Sequence, residues 1–239
     1  MSIKFSALLL AAGKGTRLLP HTKTTPKCMI PISGKPLMEI WINKLAKCHG
    51  LKKIFINTSY LAEIVNRYIE NHANRPLIEL IHEKKLLGTA GTLKKLSSRL
   101  DEEFTFIAHA DNLSVFCLDD FIQAHLERPK NCEITMMTFQ PDDPKSCGMV
   151  QCDTIGVVKS FIEKPAFPTE GRANGAVYIF SNTAIKQVKD MTGIVDLSVD
   201  VLPKFIGKIF AWHNQAYHRD IGTPDSYAKA LKDFKNKEI

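Results

Sequence analysis

Between Phe5 and Glu127, short apolar runs alternate with segments whose apolar residues recur at helical spacing, and this alternation restricts the fold more than any other feature of the chain. Phe5–Leu10 reads as a buried strand. Pro36–His49 carries Leu37, Ile40, Trp41 and Leu45 on one face and is stopped by Gly50. Lys53–Thr58, Leu77–His82 and Phe104–His109 read as further strands, and Tyr60–His72, Thr89–Leu100 and Leu118–Glu127 as helices. Strands separated by helices of this length predict a mainly parallel sheet in an α/β three-layer sandwich, with helices on both faces. The second half is richer in strands: Glu133–Phe139, Met149–Asp153, Val157–Ile162, Ala176–Phe180, Lys208–His213 and Tyr217–Ile221. A hairpin is expected at Asp153-Thr154-Ile155-Gly156, and short helices at Asn182–Met191 and Leu197–Phe205. Thr223 and Pro224 form a cap and first position for a last helix.

The 239 residues suit one domain with a strand-rich insertion, since no linker, low-complexity run or internal repeat interrupts them. The 32 Lys and Arg against 25 Asp and Glu give a net charge of +7, which favours anionic partners without choosing among them. Lys229, Lys232, Lys235 and Lys237 read as the solvated face of the last helix. No aromatic-rich basic stretch suggests base stacking, so no nucleic-acid partner is expected. No apolar run reaches membrane-spanning length and no leader precedes the first strand, so no membrane partner is expected either. The six cysteines lack a CxxC pair and the eight histidines lack zinc spacing, which together read as a reduced, cytoplasmic protein without structural zinc.

The first strand runs into Ala11-Ala12-Gly13-Lys14-Gly15-Thr16-Arg17. Glycines just past a strand let backbone N–H groups approach an anion. The dinucleotide pattern GxGxxG fails, because Leu18 stands at the third glycine, and the P-loop pattern is absent. Arg17 can fork onto two phosphates and Lys27 can serve as a point charge beside another; the alternative is a glycine turn with two surface cations. Asp111, beyond the strand Phe104–His109, and Asp220, far along the chain, can share one cation or can each cap a turn. Glu163-Lys164-Pro165 and Asn174-Gly175-Ala176 can contact a sugar phosphate, or can be a solvated ion pair and an ordinary turn.

The segment LLLAAGKGTRLLPHTKTTPKCMIPISGKPLME resembles the signature of the sugar-1-phosphate nucleotidyltransferases, and the likeness extends from about Ile3 to Tyr227. It implies a Rossmann-like fold in a single nucleotidyltransferase domain, with a nucleotide-binding part over about residues 1–112 and a sugar-phosphate-binding part over about 113–239. It places the triphosphate on Leu10, Ala12, Gly13, Gly15, Thr16 and Arg17, with Lys27 touching phosphate during the reaction. His109-Ala110-Asp111 is similar to the family's Gly-Asp element, with Ala110 replacing the usual glycine, and Asp220-Ile221-Gly222-Thr223-Pro224 is similar to its second metal element. Asp111 and Asp220 are therefore expected to hold Mg²⁺. Gly148, Glu163, Lys164 and Asn174 match the elements that bind the sugar phosphate. Asp196 can face the sugar or cap a helix.

The implied partners are a nucleoside triphosphate and a sugar 1-phosphate, joined with release of pyrophosphate and without a covalent enzyme intermediate. Rival readings are a cytidylyltransferase for a small phosphorylated alcohol and a non-catalytic nucleotide-sugar sensor. The sequence leaves the oligomeric state open. The run His82 to Leu93 resembles the family's base-reading loop, and its LGTAG portion is most like that of mannose-1-phosphate guanylyltransferases. Gly88 and Thr89 are thus expected at the nucleotide. Glu83 lies five residues before Gly88. A carboxylate there accepts hydrogen bonds only, which suits the N1–H and amino donors of guanine and disfavours uracil and thymine by about 1–3 kcal/mol. GTP is the expected donor and mannose 1-phosphate or a related sugar the acceptor.

Overall fold

A computed structural model describes residues 3–167 and 171–235; Lys237 lies outside them. The fold is mixed α/β with a large central sheet, as the alternation predicts, and is of the Rossmann-like kind that the resemblance implies. The chain forms two compact units. The first comprises the chain up to Leu86, Ala108–Val115 and the stretch from Tyr217 onward, and the second comprises Leu87–Ile107 and Phe116–Ala216.

In the first unit, Phe5–Leu10 pairs parallel with Leu51–Thr58, which pairs parallel with Ile78–His82. Phe5–Leu10 is buried at every position, so its unbroken apolar run fits a strand covered on both faces. The helix Leu37–Ala46 buries Leu37, Met38, Ile40, Trp41, Ile42 and Leu45, the face expected from their spacing. The helix Ala62–Glu70 is shorter than its periodic segment and buries Ala62, Val65 and Ile69. The last helix, Pro224–Asp233, begins as expected, with Thr223 Oγ1 accepting the Ser226 N–H at 3.2 Å. Its Ala230 packs with Leu18, Ile32, Leu113 and Ile221 in one apolar cluster.

The second unit is strand-rich. Arg172–Ser181 pairs antiparallel with Ile134–Phe139 and with Gly148–Cys152; Gly148–Cys152 pairs antiparallel with Val158–Glu163. The hairpin falls where expected: Asp153 Oδ1 accepts the N–H groups of Ile155 and Val157 at 3.1 and 2.8 Å. Ile209–His213 runs parallel to Ile134–Phe139. The stretch expected as short helices at Leu197–Phe205 is a π-helical turn, Leu197–Val201, followed by a 3₁₀ turn, Leu202–Phe205. Pro203 explains the break, because it has no N–H to continue the ladder. No helix among the described residues is long and apolar enough to cross a membrane.

Candidate active site

Leu10 ends the first strand, and residues 11–15 follow without regular structure. Gly15 adopts φ +63° before the short 3₁₀ turn Thr16–Leu18. A Cβ there would stand 2.9 Å from Thr22 Cγ2 and 3.0 Å from Lys27 Cβ, so glycine is required by both backbone and space. Thr22 Oγ1 donates to the Gly15 carbonyl at 2.8 Å and ties the loop down. Around Gly13 there is open space. Ala12 is buried, Thr16 and Arg17 are exposed, and the loop thus offers an accessible run of backbone beside an exposed guanidinium.

Two aspartates converge near this loop. Asp111 lies in the turn between Phe104–His109 and Asn112–Val115, and the Ala110 N–H donates to the Leu10 carbonyl at 3.0 Å. Asn112–Val115 pairs antiparallel with Tyr217–Asp220, and Asp220 stands opposite Asn112. This pairing brings together carboxylates that are distant in sequence. Lys27 joins them, its ammonium donating to Asp111 Oδ2 at 2.6 Å and to Asp220 Oδ1 at 2.8 Å. Lys27 is only 6% exposed. Burial pulls its pKa down, but the charges of Asp111 and then Asp220 prevail and hold it above the usual lysine value. For Asp111, burial pushes the carboxyl up, yet Lys27 and His109 outweigh it and hold it below the usual range. Arg17 approaches Asp220 Oδ2 at 3.5 Å, with the two side chains 65% and 49% exposed. Such an open pair is weak and leaves the guanidinium available to a ligand. A Cβ at Gly222 would stand 2.7 Å from Asp220 Oδ2, so the glycine makes room for that carboxylate.

The donor set fits a divalent cation. Two hard carboxylate oxygens already face one positive centre, and Mg²⁺ commonly takes one or two carboxylates and completes its shell with phosphate oxygens and water. Among the described residues there is no group of three or more His, Cys, Asp or Glu side chains placed to hold a metal without such a ligand.

Glu83, the carboxylate expected at the base, directly follows the strand Ile78–His82. It is 2% exposed, its N–H donates to the Thr58 carbonyl at 2.8 Å, and its Oε1 accepts from Asn57 Nδ2 at 3.1 Å. Asn57 went unremarked in the sequence. A lone amide closing the apolar run Ile54-Phe55-Ile56 is the one signal that singles it out.

Within the second unit, Gly88 and Thr89 open the helix Gly88–Leu96. Thr89 Oγ1 donates to Asp196 Oδ2 at 3.2 Å and accepts the Leu197 N–H at 2.8 Å. Asp196 Oδ1 takes the N–H groups of Ser198 and Val199, which makes it a helix cap. Gly148 and Glu163 stand opposite each other, and a Cβ on Gly148 would lie 2.6 Å from Glu163 Oε2. Lys164 Nζ lies 3.8 Å from Glu163 Oε1. Asn174 Oδ1 accepts the Ala176 N–H at 3.0 Å, and its Nδ2 donates to Tyr178 Oη at 2.7 Å. Burial pushes the Tyr178 phenol upward, so it stays protonated at neutral pH. Gly148, Glu163, Lys164 and Asn174 all belong to this unit, on paired strands or the residue that follows one.

A glycine loop at the end of a parallel strand, beside a lysine held between two aspartates, marks an α/β protein built to receive a phosphorylated ligand. The chain belongs to the nucleotidyl transferase family, whose model matches residues 6–237. It is 27% identical over 233 residues to the mannose-1-phosphate guanylyltransferase of Mycobacterium tuberculosis, covering 95% of this chain and 64% of that relative. With the UTP–glucose-1-phosphate uridylyltransferase of Synechocystis it shares 31% over 252 residues, covering 98% and 64%. The chain therefore spans under two thirds of either relative. The crystal structure of HddC from Yersinia pseudotuberculosis complexed with GMP-PN matches with a TM-score of 0.78 at 29% identity, covering 96% of this chain and 99% of that one.

Proposed function

We propose that the protein transfers a nucleotidyl group from a nucleoside triphosphate to a sugar 1-phosphate and releases pyrophosphate. The observation that carries this reading is the Lys27 ammonium between Asp111 and Asp220, in the same unit as the glycine loop. An α-phosphorus becomes reactive when the charge on its oxygens is neutralised, and such a cluster supplies both signs of charge needed to bind phosphate and cation together.

The acceptor phosphate is ionised at neutral pH, so its oxygen attacks the α-phosphorus without a general base. One P–O bond forms, the α–β anhydride breaks, and pyrophosphate leaves with the electron pair. The glycine loop holds the triphosphate through backbone N–H groups, Arg17 holds the departing pyrophosphate, and Lys27 neutralises charge growing at the α-phosphate. Asp111 and Asp220 would hold Mg²⁺, which supplies Lewis-acid neutralisation of phosphate oxygens when bound. In the second unit Gly148, Glu163, Lys164 and Asn174 are assigned to the sugar phosphate.

For the donor we favour GTP, and for the acceptor mannose 1-phosphate or a related sugar phosphate. The Mycobacterium relative's name and the LGTAG run support this choice. The Synechocystis relative supports uridylyl transfer as a second reading. A pyrophosphate-release screen of GTP, UTP, dTTP and CTP against a panel of sugar 1-phosphates separates them. GTP with mannose 1-phosphate should give the highest rate; preference for UTP would select the second reading, and no release with any pair would overturn the reaction class.

A further inference from the structure

A row of hydrogen bonds crosses the ends of the three parallel strands of the first unit. Asn57 stands opposite Leu10 on one side and Ile81 on the other. Its Oδ1 accepts the N–H of Ala11, the first loop residue, at 2.7 Å, and its Nδ2 donates to Glu83 Oε1 at 3.1 Å. Only one orientation of the amide serves both neighbours, because a backbone N–H requires the oxygen and a carboxylate requires the nitrogen. Asn57 is 4% exposed, so each group must find its partner inside the protein. Glu83 is fixed in turn by its own N–H on the Thr58 carbonyl.

We propose that Asn57 and Glu83 are positioning residues for the triphosphate: Glu83 sets the Asn57 amide, and Asn57 sets the entry of the glycine loop. The assignment rests on the nucleotidyl-transfer reading and deepens it. Residues 11–15 have no ladder of their own, so the direction of their N–H groups depends on anchors such as this one. It also gives the Glu83 carboxylate to Asn57 rather than to the donor base.

A polarity swap tests the row. Asn57→Asp alone keeps the acceptor for Ala11 but sets a second carboxylate against Glu83 across 3.1 Å. Asn57→Asp with Glu83→Gln keeps the acceptor for Ala11 and restores the other hydrogen bond in the reverse direction, since the glutamine amide donates to the new aspartate at unchanged net charge. The readouts are GTP and UTP affinity by calorimetry, together with kcat and KM for each substrate. The single Asn57→Asp variant should weaken GTP at least about tenfold while KM for the sugar phosphate moves less than about threefold, and the double variant should return GTP affinity to within about threefold of wild type. The GTP-to-UTP ratio should be unchanged in Glu83→Gln and in the double variant. Wild-type affinity in Asn57→Asp, or a double variant no better than the single, overturns the proposal. So does a tenfold change in that ratio on Glu83→Gln, which would return Glu83 to the base. If Asn57→Asp does not fold, Glu83→Gln and Glu83→Leu replace it: glutamine can still accept from Asn57 and leucine cannot, so equal GTP affinity in these two overturns the proposal. A wild-type protein that binds GTP but releases no pyrophosphate refutes the reaction, while the affinities still decide the row.

Discussion

Replacing Lys27 with methionine removes the ammonium and keeps most of the buried stem. Asp111 and Asp220 then face one another without the cation that both contact, at 2.6 and 2.8 Å in the wild type. Removing one partner of a buried ion pair costs about 3–5 kcal/mol. The Asp220 side chain is 49% exposed, so water screens its share and that pair contributes under about 1 kcal/mol. The Asp111 contact dominates, and a loss of about 2–4 kcal/mol at neutral pH follows. The pH dependence carries the signature. Asp111 is held below the usual carboxylate range in the folded protein, so its contribution is present above the unfolded value and is lost as pH falls through the folded one. Lys27 is held above its usual value, so its contribution is complete below that value and is lost as pH rises through the folded one. The difference between wild type and Lys27→Met should therefore form a plateau across neutral pH and shrink toward both extremes. Urea unfolding of both proteins between about pH 3 and pH 11 measures it. A difference below about 0.5 kcal/mol at neutral pH, or one that stays flat into acid, would refute the assignment of Lys27 as the hub of the cluster.

Arg17→Gln should lower turnover by about 10²-fold, as when one electrostatic donor is removed from a transition state; normal turnover would refute the loop assignment. Asp111→Asn and Asp220→Asn should each depress turnover strongly in a folded protein, and full wild-type activity in excess chelator would defeat the Mg²⁺ proposal. Glu163→Ala and Lys164→Ala should raise KM for the sugar phosphate and spare the nucleotide, so a selective loss of triphosphate binding would move this segment to the donor side. His125 is 2% exposed, and burial, with Arg128 adding to it, lowers its pKa to about 3. The unfolded chain takes up a proton near 6.5 that the folded chain refuses until about 3, so stability should fall across that window by roughly 5 kcal/mol. A stability curve for His125→Gln with the same acid slope as wild type would contradict this.

The strand Phe5–Leu10, the helix Leu37–Ala46, the Asp153 hairpin and the Thr223 cap were legible in the sequence, because each rests on local periodicity or on a side chain bonding its near neighbours. Gly13, Gly15, Arg17 and Lys27 stood out for the same reason: a short motif after a strand carries its own chemistry. Tertiary structure decided what these residues do to one another. Lys27 meets Asp111 across 84 residues and Asp220 across 193, through a pairing of Asn112–Val115 with Tyr217–Asp220 whose first strand is too short to announce itself. A division in chain order cannot show a unit assembled from three separated stretches. Glu83 read as a carboxylate facing the donor base, but Asn57, 26 residues away, donates to its Oε1, and burial joins the two. Local pattern reports what a residue can offer; which partner receives it is set by long-range strand pairing and the exclusion of water, and neither has a local signature.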